Sequence, residues 1–427
     1  MHSAATLRPQ PHRACGACGS AANTVCHHQR FIVPEGYPLP SAYDVVVCRR
    51  CGFVYADPAA TQDDYDRFYC EWSKYDDLAT ATGSGVSPYD AARLSTVAAD
   101  LARALPSRAA SILDAGCATG GLLSALREQG FTAVAGLDPS PRCAAACRER
   151  GFEAYVGSIS SAATPTHLPK FDCVVFSHVL EHIYDIPAFF NSARGLLAPG
   201  GYLYLETPDA TRYDEYLYAP FQEFNTEHIN HFSAHAIENV ARHFGFRAIL
   251  VEQKVMRTSE DTLYPALFGV FRDDGEAVNG QANEQAIACD QELPSKIADY
   301  IRRSAQQMER INQHLARQVA NVNRVILWGA GQLAMKLLAL PCLAQTRIRA
   351  LVDNNPILRG KTLAGAPIVG PQQIIGTTEP IIIATLLHAG EISAQIRRLG
   401  LTNPILSLLP ESAAALASKA RSGVRPS

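Results

Sequence analysis

The stretch Ser111-Ile-Leu-Asp-Ala-Gly-Cys-Ala-Thr-Gly-Gly121 restricts the fold more than any other part of the sequence. Apolar positions run into an Asp and then into closely spaced glycines, which predicts a buried strand ending in a tight turn. Leu122 to Gly130 follows with helical spacing. Strand, glycine turn and helix make a nucleotide-binding corner, because glycine lets the backbone approach a ligand and a helix start offers free N–H groups.

At 427 residues the chain is expected to form two or three domains, since single cores stop growing near ~250 to 300 residues. A net charge of -3 provides no basic field for nucleic acid. No run of about 18 apolar residues predicts a membrane span. These features together predict a cytoplasmic enzyme. Of the twelve cysteines, Cys117, Cys143, Cys147 and Cys173 fall singly in apolar patterns and read as buried small hydrophobes.

Cys15-Gly-Ala-Cys18 and Cys48-Arg-Arg-Cys51 are two CxxC pairs separated by 29 residues. Each pair can turn two thiolates toward one cation, and the two complete the closed tetrahedron of a structural zinc site. Cys26, His27 and His28 are alternative ligands in chemistry, but lie outside a knuckle and read as loop. From Pro58 to Val86 the pattern is irregular, with aromatics including Tyr65, Phe68, Tyr69, Trp72 and Tyr75. These are expected to pack one module on another, or to lend a tyrosine hydroxyl to a site.

Pro88 to Leu105 reads as a helix, and strands are expected at Ala133 to Asp138, Ala154 to Val156, Phe171 to Phe176 and Tyr202 to Glu206. Their alternation with helices predicts a doubly wound parallel sheet. Asp138, at the end of the second strand, can hold a ribose or cap the next helix together with Ser140. Further strands are expected at Phe246 to Glu252 and Thr262 to Phe271, then a helix over Leu293 to Val319. A second strand and glycine turn, Arg324-Val-Ile-Leu-Trp-Gly-Ala-Gly331, precedes a strand ending in Asp353 and another at Pro380 to Thr385. A second Rossmann-like domain is therefore expected at the C-terminus.

DAGCATGG, GLDPS, FDCVVFSHVLEHI and LLAPGGYLYLETP together resemble class I S-adenosylmethionine-dependent methyltransferases, a likeness covering roughly Pro88 to Arg272. The glycine loop alone is compatible with NAD, and the APGG before the fifth strand discriminates. The resemblance implies that Asp114, Gly116, Cys117, Ala118, Thr119 and Gly120 approach the methionine end of the cofactor and Asp138 its ribose. Pro139, Ser158 and His178 complete the implied cofactor set. Gly157-Ser158 occupies the place after the third strand where many members carry an acid near adenine.

The N-terminal cysteine module, methyltransferase core and C-terminal domain, with Val352-Asp-Asn-Asn-Pro356 and Gly365-Ala-Pro-Ile-Val369, resemble sugar C-methyltransferases acting on nucleotide-linked 4-keto deoxysugars. That family's C-terminal domain helps hold the nucleotide-sugar, and its Tyr-x-Glu-His segment contributes to catalysis. Glu227-His228 match the last two positions, Asn225 stands at the tyrosine position, and the family's Gly-Gly-Ser segment is missing around Arg257 to Glu260. The implied partition is a zinc module and linker over 1–80, a methyltransferase domain over 81–272, a linker and helix over 273–320 and a substrate-binding domain over 321–427.

Methylating an aliphatic carbon beside a ketone needs a base and a donor for the developing oxyanion. His228 is expected as the base with Glu227 orienting it, and His182 or Tyr75 as the donor. His231 and Ser233 are expected to cap the helix from Ala234 to Phe244. An O- or N-methyltransferase on another small acceptor, or a cofactor-binding scaffold without turnover, are the alternatives. The expected partner is a small molecule, with no nucleic acid and no membrane.

Overall fold

The computed structural model describes residues 12–72, 83–159, 168–274 and 287–410. Tyr75 lies outside the described residues. No helix among them is long and apolar enough to cross a membrane. The chain divides into two compact units built from non-contiguous segments. The first comprises Met1–Cys26, Val45–Arg212 and Glu227–Lys296, and the second His27–Asp44, Tyr213–Thr226 and Ile297–Ser427.

Near the N-terminus run β1 (Asn23–Arg30), β2 (Ala42–Cys48) and β3 (Val54–Pro58), followed by helix α1 (Gln62–Glu71). Cys26, His27 and His28, expected in a loop, lie within β1. Helix α1 falls where an irregular linker was expected. Its start was nonetheless written in the sequence, because Thr61 and Asp64 exchange hydrogen bonds as a capping box. Tyr65 and Phe68 turn inward from it and supply the burial that a short helix needs.

The middle of the chain opens with α2 (Pro88–Ala104), β4 (Ile112–Ala115), α3 (Gly121–Glu128), β5 (Val134–Asp138), α4 (Pro141–Glu149) and β6 (Glu153–Val156). It continues with β7 (Phe171–Ser177), α5 (Ile186–Leu196), β8 (Leu197–Pro208), β9 (Asn230–His231), α6 (Ala234–His243), β10 (Phe246–Ser259) and β11 (Thr262–Asp273). Seven strands form one sheet in the order β10-β11-β8-β7-β4-β5-β6. The five from β8 to β6 are parallel, whereas β10 and β11 form an antiparallel hairpin added to the β8 edge. The sheet is thus mixed rather than wholly parallel, because the short connection between β10 and β11 allows only a hairpin. Strand β8 runs from Leu197 through the APGG stretch, which appears as a register irregularity against β7. One core joins Leu94, Val97 and Leu101 of α2 to Leu122, Leu123 and Leu126 of α3 and to Ile112, Cys173, Val175 and Tyr204 of the sheet.

Strands β1, β2, β3 and β9 form a separate four-stranded sheet, in which Val54 pairs with His231 and Tyr55 with Asn230. His231 is fully buried in that sheet and burial lowers its pKa to about 3. It does not cap α6. Ser233 alone takes that role, accepting from Ala236 N.

The remaining elements are α7 (Glu292–Val319), β12 (Arg324–Trp328), α8 (Gln332–Leu337), α9 (Pro341–Ala344), β13 (Arg347–Val352), β14 (Thr362–Leu363), β15 (Ala366–Val369), β16 (Ile381–Ile383), α10 (Ala389–Arg398) and β17 (Ile405–Leu406). Six of these strands form a Rossmann-like sheet in the order β14-β15-β13-β12-β16-β17. Within the second unit, two segments distant in sequence join this domain. Tyr37 Oη lies 2.7 Å from Thr226 Oγ1, Tyr43 donates to Asn225 O at 2.8 Å, and buried Lys336 donates to Phe221 O.

Gly52 follows the second CxxC pair with φ at +75°, and Asp290 N donates to Cys51 O beside it. A methyl group on Gly52 would lie 2.0 Å from Asp290 O, where backbone cannot yield cheaply. Gly52→Ala is expected to destabilise the first unit by about 2 kcal/mol or more, from left-handed strain and overpacking together. Unchanged thermal unfolding would contradict this.

Candidate active site

The glycine loop between β4 and α3 is built from unusual backbone. Gly116, Ala118 and Gly120 all have positive φ, at 90°, 45° and 82°. Asp138, at the end of β5, pins the loop: its Oδ2 accepts from Ala118 N at 2.9 Å and its Oδ1 from Ser140 N at 2.9 Å. Asp138 was expected as a ribose ligand or as part of the next helix cap with Ser140; its contact with Ser140 N lies at that helix start, and its hold on the glycine loop through Ala118 N was not expected. Thr119 is buried, Pro139 is exposed at the end of β5, and Ser158 is half-buried just beyond β6. Cys117 is 2% exposed and its Sγ lies 3.8 Å from Cys147 Sγ, so that side chain packs beneath the loop.

Gly83 and Gly85, ahead of α2, come down on the same loop. Gly121 N donates to Gly83 O at 3.1 Å, and the Gly83 and Gly85 N–H groups both donate to Asp90 Oδ2. These glycines fall in the stretch to Val86 whose sequence pattern is irregular. The capping serine Ser87 and the acid Asp90 at its third helical position were the available signal.

Asp114 is 4% exposed and no hydrogen bond among the described residues reaches its carboxyl. Burial raises its pKa to about 7, against the opposing field of Arg93. A buried carboxyl beside a loop of glycines and small side chains fits the amino group of an amino-acid ligand. The loop therefore fits the methionine end of S-adenosylmethionine.

Across the loop, residues 178–182 form a tight turn after β7. His178 has φ at 57°, and Val179 Cγ2 lies 3.2 Å from where a Gly116 Cβ would stand. His178 sits between two buried acids, with Nδ1 3.1 Å from Glu181 Oε1 and Nε2 3.3 Å from Glu206 Oε1. Burial disfavours its charge, but the contacts with Glu181 and Glu206 outweigh that and raise it to about 9. Glu206 also contacts Lys254, accepts from Tyr204 Oη at 2.9 Å and from Ser177 Oγ at 3.1 Å. Despite complete burial, Lys254, His178 and Arg93 hold Glu206 far below the usual carboxylate range.

On the other side of Glu181 stand two more imidazoles. The rings of His182 and His228 cross at 4.9 Å and 74°, and His182 Nδ1 lies 3.2 Å from the Glu227 carbonyl oxygen. Burial lowers the His182 pKa. Burial also works against the Glu181 charge, yet His178, His182 and His228 keep it below the ordinary carboxylate value. The structure thus brings His182 and His228 together, with Glu181 as their buried acid. Glu227, read as the orienting carboxylate, meets His182 through its main chain. Glu181, Glu206, Lys254 and Arg93 were missed, although Glu181 stood inside the SHVLEH motif.

The four cysteines also converge. Cys15, Cys18, Cys48 and Cys51 are buried, with Sγ atoms 3.7 Å apart for Cys15 and Cys51 and 3.5 Å for Cys18 and Cys48. Zn–S bonds of about 2.3 Å in a tetrahedron imply about 3.8 Å between sulfurs, so the donor set fits a closed metal site.

Residues 89–251 match the family described as a methyltransferase domain. With the fold and loop above, this part of the chain is a class I S-adenosylmethionine-dependent methyltransferase domain. The chain is similar to the ubiquinone biosynthesis O-methyltransferase of Methylobacterium nodulans, 35% identical over 117 residues that cover 26% of this chain and 46% of the relative. The protein of the same description from Methylocella silvestris is 31% identical over 110 residues, covering 25% and 43%. The chain therefore spans about half the length of the curated relatives it matches. A solved structure of Burkholderia thailandensis 1,6-didemethyltoxoflavin-N1-methyltransferase, with bound 1,6-didemethyltoxoflavin and S-adenosylhomocysteine, is 16% identical with a TM-score of 0.38. It covers 54% of this chain and 95% of that one.

Two outcomes follow from the loop. Gly116→Val is expected to abolish S-adenosylmethionine binding in calorimetry, because its side chain meets Val179 and its φ is unsuited to a branched residue. Undiminished affinity in folded protein would contradict that. For Asp114, a folded pKa of about 7 against an ordinary 3.8 means that stability is full below about pH 4 and falls as pH rises through about 7. Ligand-free Asp114→Asn should thus unfold a few degrees higher than wild type at pH 8 while binding cofactor at least tenfold more weakly. A lower unfolding temperature would overturn the burial account.

Proposed function

We propose that this protein transfers a methyl group to a carbon of a nucleotide-linked keto-deoxysugar, by base-assisted enolate formation. The observation that carries the reading is the pair His182 and His228, joined to buried Glu181 in the turn that touches the glycine loop. A carbon acid beside a ketone gives up its proton only to a positioned base, and an imidazole is suited to that near neutral pH.

His228 takes the proton from the carbon next to the carbonyl, and the electron pair left behind delocalises onto the carbonyl oxygen. His182, whose Nδ1–H donates to the Glu227 carbonyl, is thereby fixed against His228 and orients it. Glu181 holds positive charge on the imidazole pair as the proton arrives. Asp114 and the loop from Gly116 to Gly120 hold the cofactor, with Asp138 fixing the loop's shape and Pro139, Ser158 and His178 at its margins. Bound S-adenosylmethionine supplies an electrophilic methyl group, and positioning the carbanion near it provides much of the rate. The C-terminal Rossmann-like domain is proposed to recognise the nucleotide part. Cys15, Cys18, Cys48 and Cys51 are proposed to bind structural zinc, and the protein to work in the reducing cytoplasm, where such thiols persist.

A second reading, transfer to oxygen, is favoured by the similarity to ubiquinone O-methyltransferases. Incubation with a panel of nucleotide keto-sugars and S-adenosylmethionine carrying a 13C-methyl group separates the two. The proposal expects a mass gain of one methyl and a carbon-bound methyl resonance, and His228→Ala lowering the rate about 10²- to 10⁴-fold. A methoxy resonance from a phenolic or sugar hydroxyl acceptor would replace it with the second reading. For the cysteine module, Cys15→Ser or Cys48→Ser is expected to lower zinc content and unfolding temperature together. A fully stable metal-free variant would remove zinc from the account.

A further inference from the structure

We infer that Glu181, His182 and His228 form a second metal site, distinct from the four cysteines, suited to a borderline divalent cation such as Zn2+ or Co2+. One ligand atom from each residue lies within 4.8 Å of the others. Metal–nitrogen bonds of about 2.0 to 2.1 Å require roughly 3.3 Å between donors, so the widest pair must close by up to about 1.5 Å through side-chain movement.

Two independent features point the donors at a cation. Glu181 is 1% exposed, and while its Oε1 faces His178, its Oε2 has no hydrogen-bond partner. A buried, charged oxygen without a partner is costly, and a cation satisfies it. His182 directs Nδ1 to the Glu227 carbonyl oxygen at 3.2 Å. That contact places the proton on Nδ1 and leaves the Nε2 lone pair for a metal, and Nε2 lies 3.9 Å from Glu181 Oε1, on the same carboxylate as the unpartnered Oε2. His178 on Glu181 and the carbonyl on His182 are thus the outer contacts that orient metal ligands.

Two imidazoles and one carboxylate select zinc, cobalt, nickel or ferrous iron over magnesium and calcium, which prefer oxygen alone. Three protein donors leave coordination positions for water or for an oxygen of the acceptor, unlike the closed cysteine site. The effect on turnover rests on the reading of His228 as the base: a metal on that imidazole removes the proton acceptor, so filling the site lowers methyl transfer more than tenfold.

The test is a Co2+ titration of the full chain, read by metal content per chain and by electronic absorption. The expected result is two ions per chain. One gives the intense thiolate-to-cobalt bands of the cysteine site, and the other only weak visible bands of nitrogen and oxygen ligation. Glu181→Gln and His182→Ala should each retain the thiolate bands, which also report folding, and lose the second ion. One ion per chain in the wild type, or a second ion kept by both variants, overturns the site. Two ions in the wild type and the second lost from both variants, with wild-type methyl transfer undiminished at saturation, would support the site and count against His228 as the base.

Discussion

The site depends on a carboxylate with no access to water. Glu206 sits near the C-terminal end of β8, surrounded by Lys254 from β10, Tyr204 from its own strand, Ser177 and His178 from the end of β7, and Arg93 from α2. Its charge is tolerable only because those groups replace water, and removing one partner of a buried pair typically costs about 3 to 5 kcal/mol. The antiparallel hairpin is what makes this possible. Lys254 pairs with Ala266 of β11, and Ala266 with Pro208 of β8, so the lysine can reach across to Glu206. From Glu206 carboxylates and imidazoles alternate through His178 and Glu181 to His182 and His228, which fixes the imidazole pair beside the glycine loop.

Much of the core was legible because its signals are local. The glycine loop, Asp138, the two CxxC pairs and the strand pattern each lie within a few consecutive residues, where backbone conformation and metal-ligand spacing leave their mark directly. Contacts that depend on sheet order were not legible. Nothing in Tyr-Leu-Glu206 announces a buried anion, and Lys254 lies beyond the strand expected over Phe246 to Glu252, whereas β10 runs on to Ser259 and pairs antiparallel with β11. His231 was misjudged as a cap for a similar reason: its partner Val54 lies in a strand far away in sequence. The exchange of segments between the two units was equally hidden, since Tyr37, Tyr43 and Thr226 carry no local periodicity that assigns them to the C-terminal domain.

The two glycine corners share one device. In the first, Asp138 Oδ2 accepts from Ala118 N at 2.9 Å; in the second, Asp353 Oδ2 accepts from Ala330 N at 2.8 Å. In both cases an acid at the end of the second strand ties down the turn after the first. The shared geometry follows from the strand–turn–helix unit itself. Distinct functions for the two corners therefore have to come from their surroundings: the first is flanked by the titratable chain from Glu206 to His228.

The most direct measurement of whether that chain supplies a carbon base is solvent exchange without methyl transfer. A nucleotide-linked keto-sugar incubated with the protein in deuterium oxide, in the absence of S-adenosylmethionine, should take up one deuterium beside the carbonyl, and His228→Ala should abolish the uptake while remaining folded. Methyl transfer to the same sugar by a wild-type protein that catalyses no exchange, or exchange that survives the loss of His228, would contradict the account.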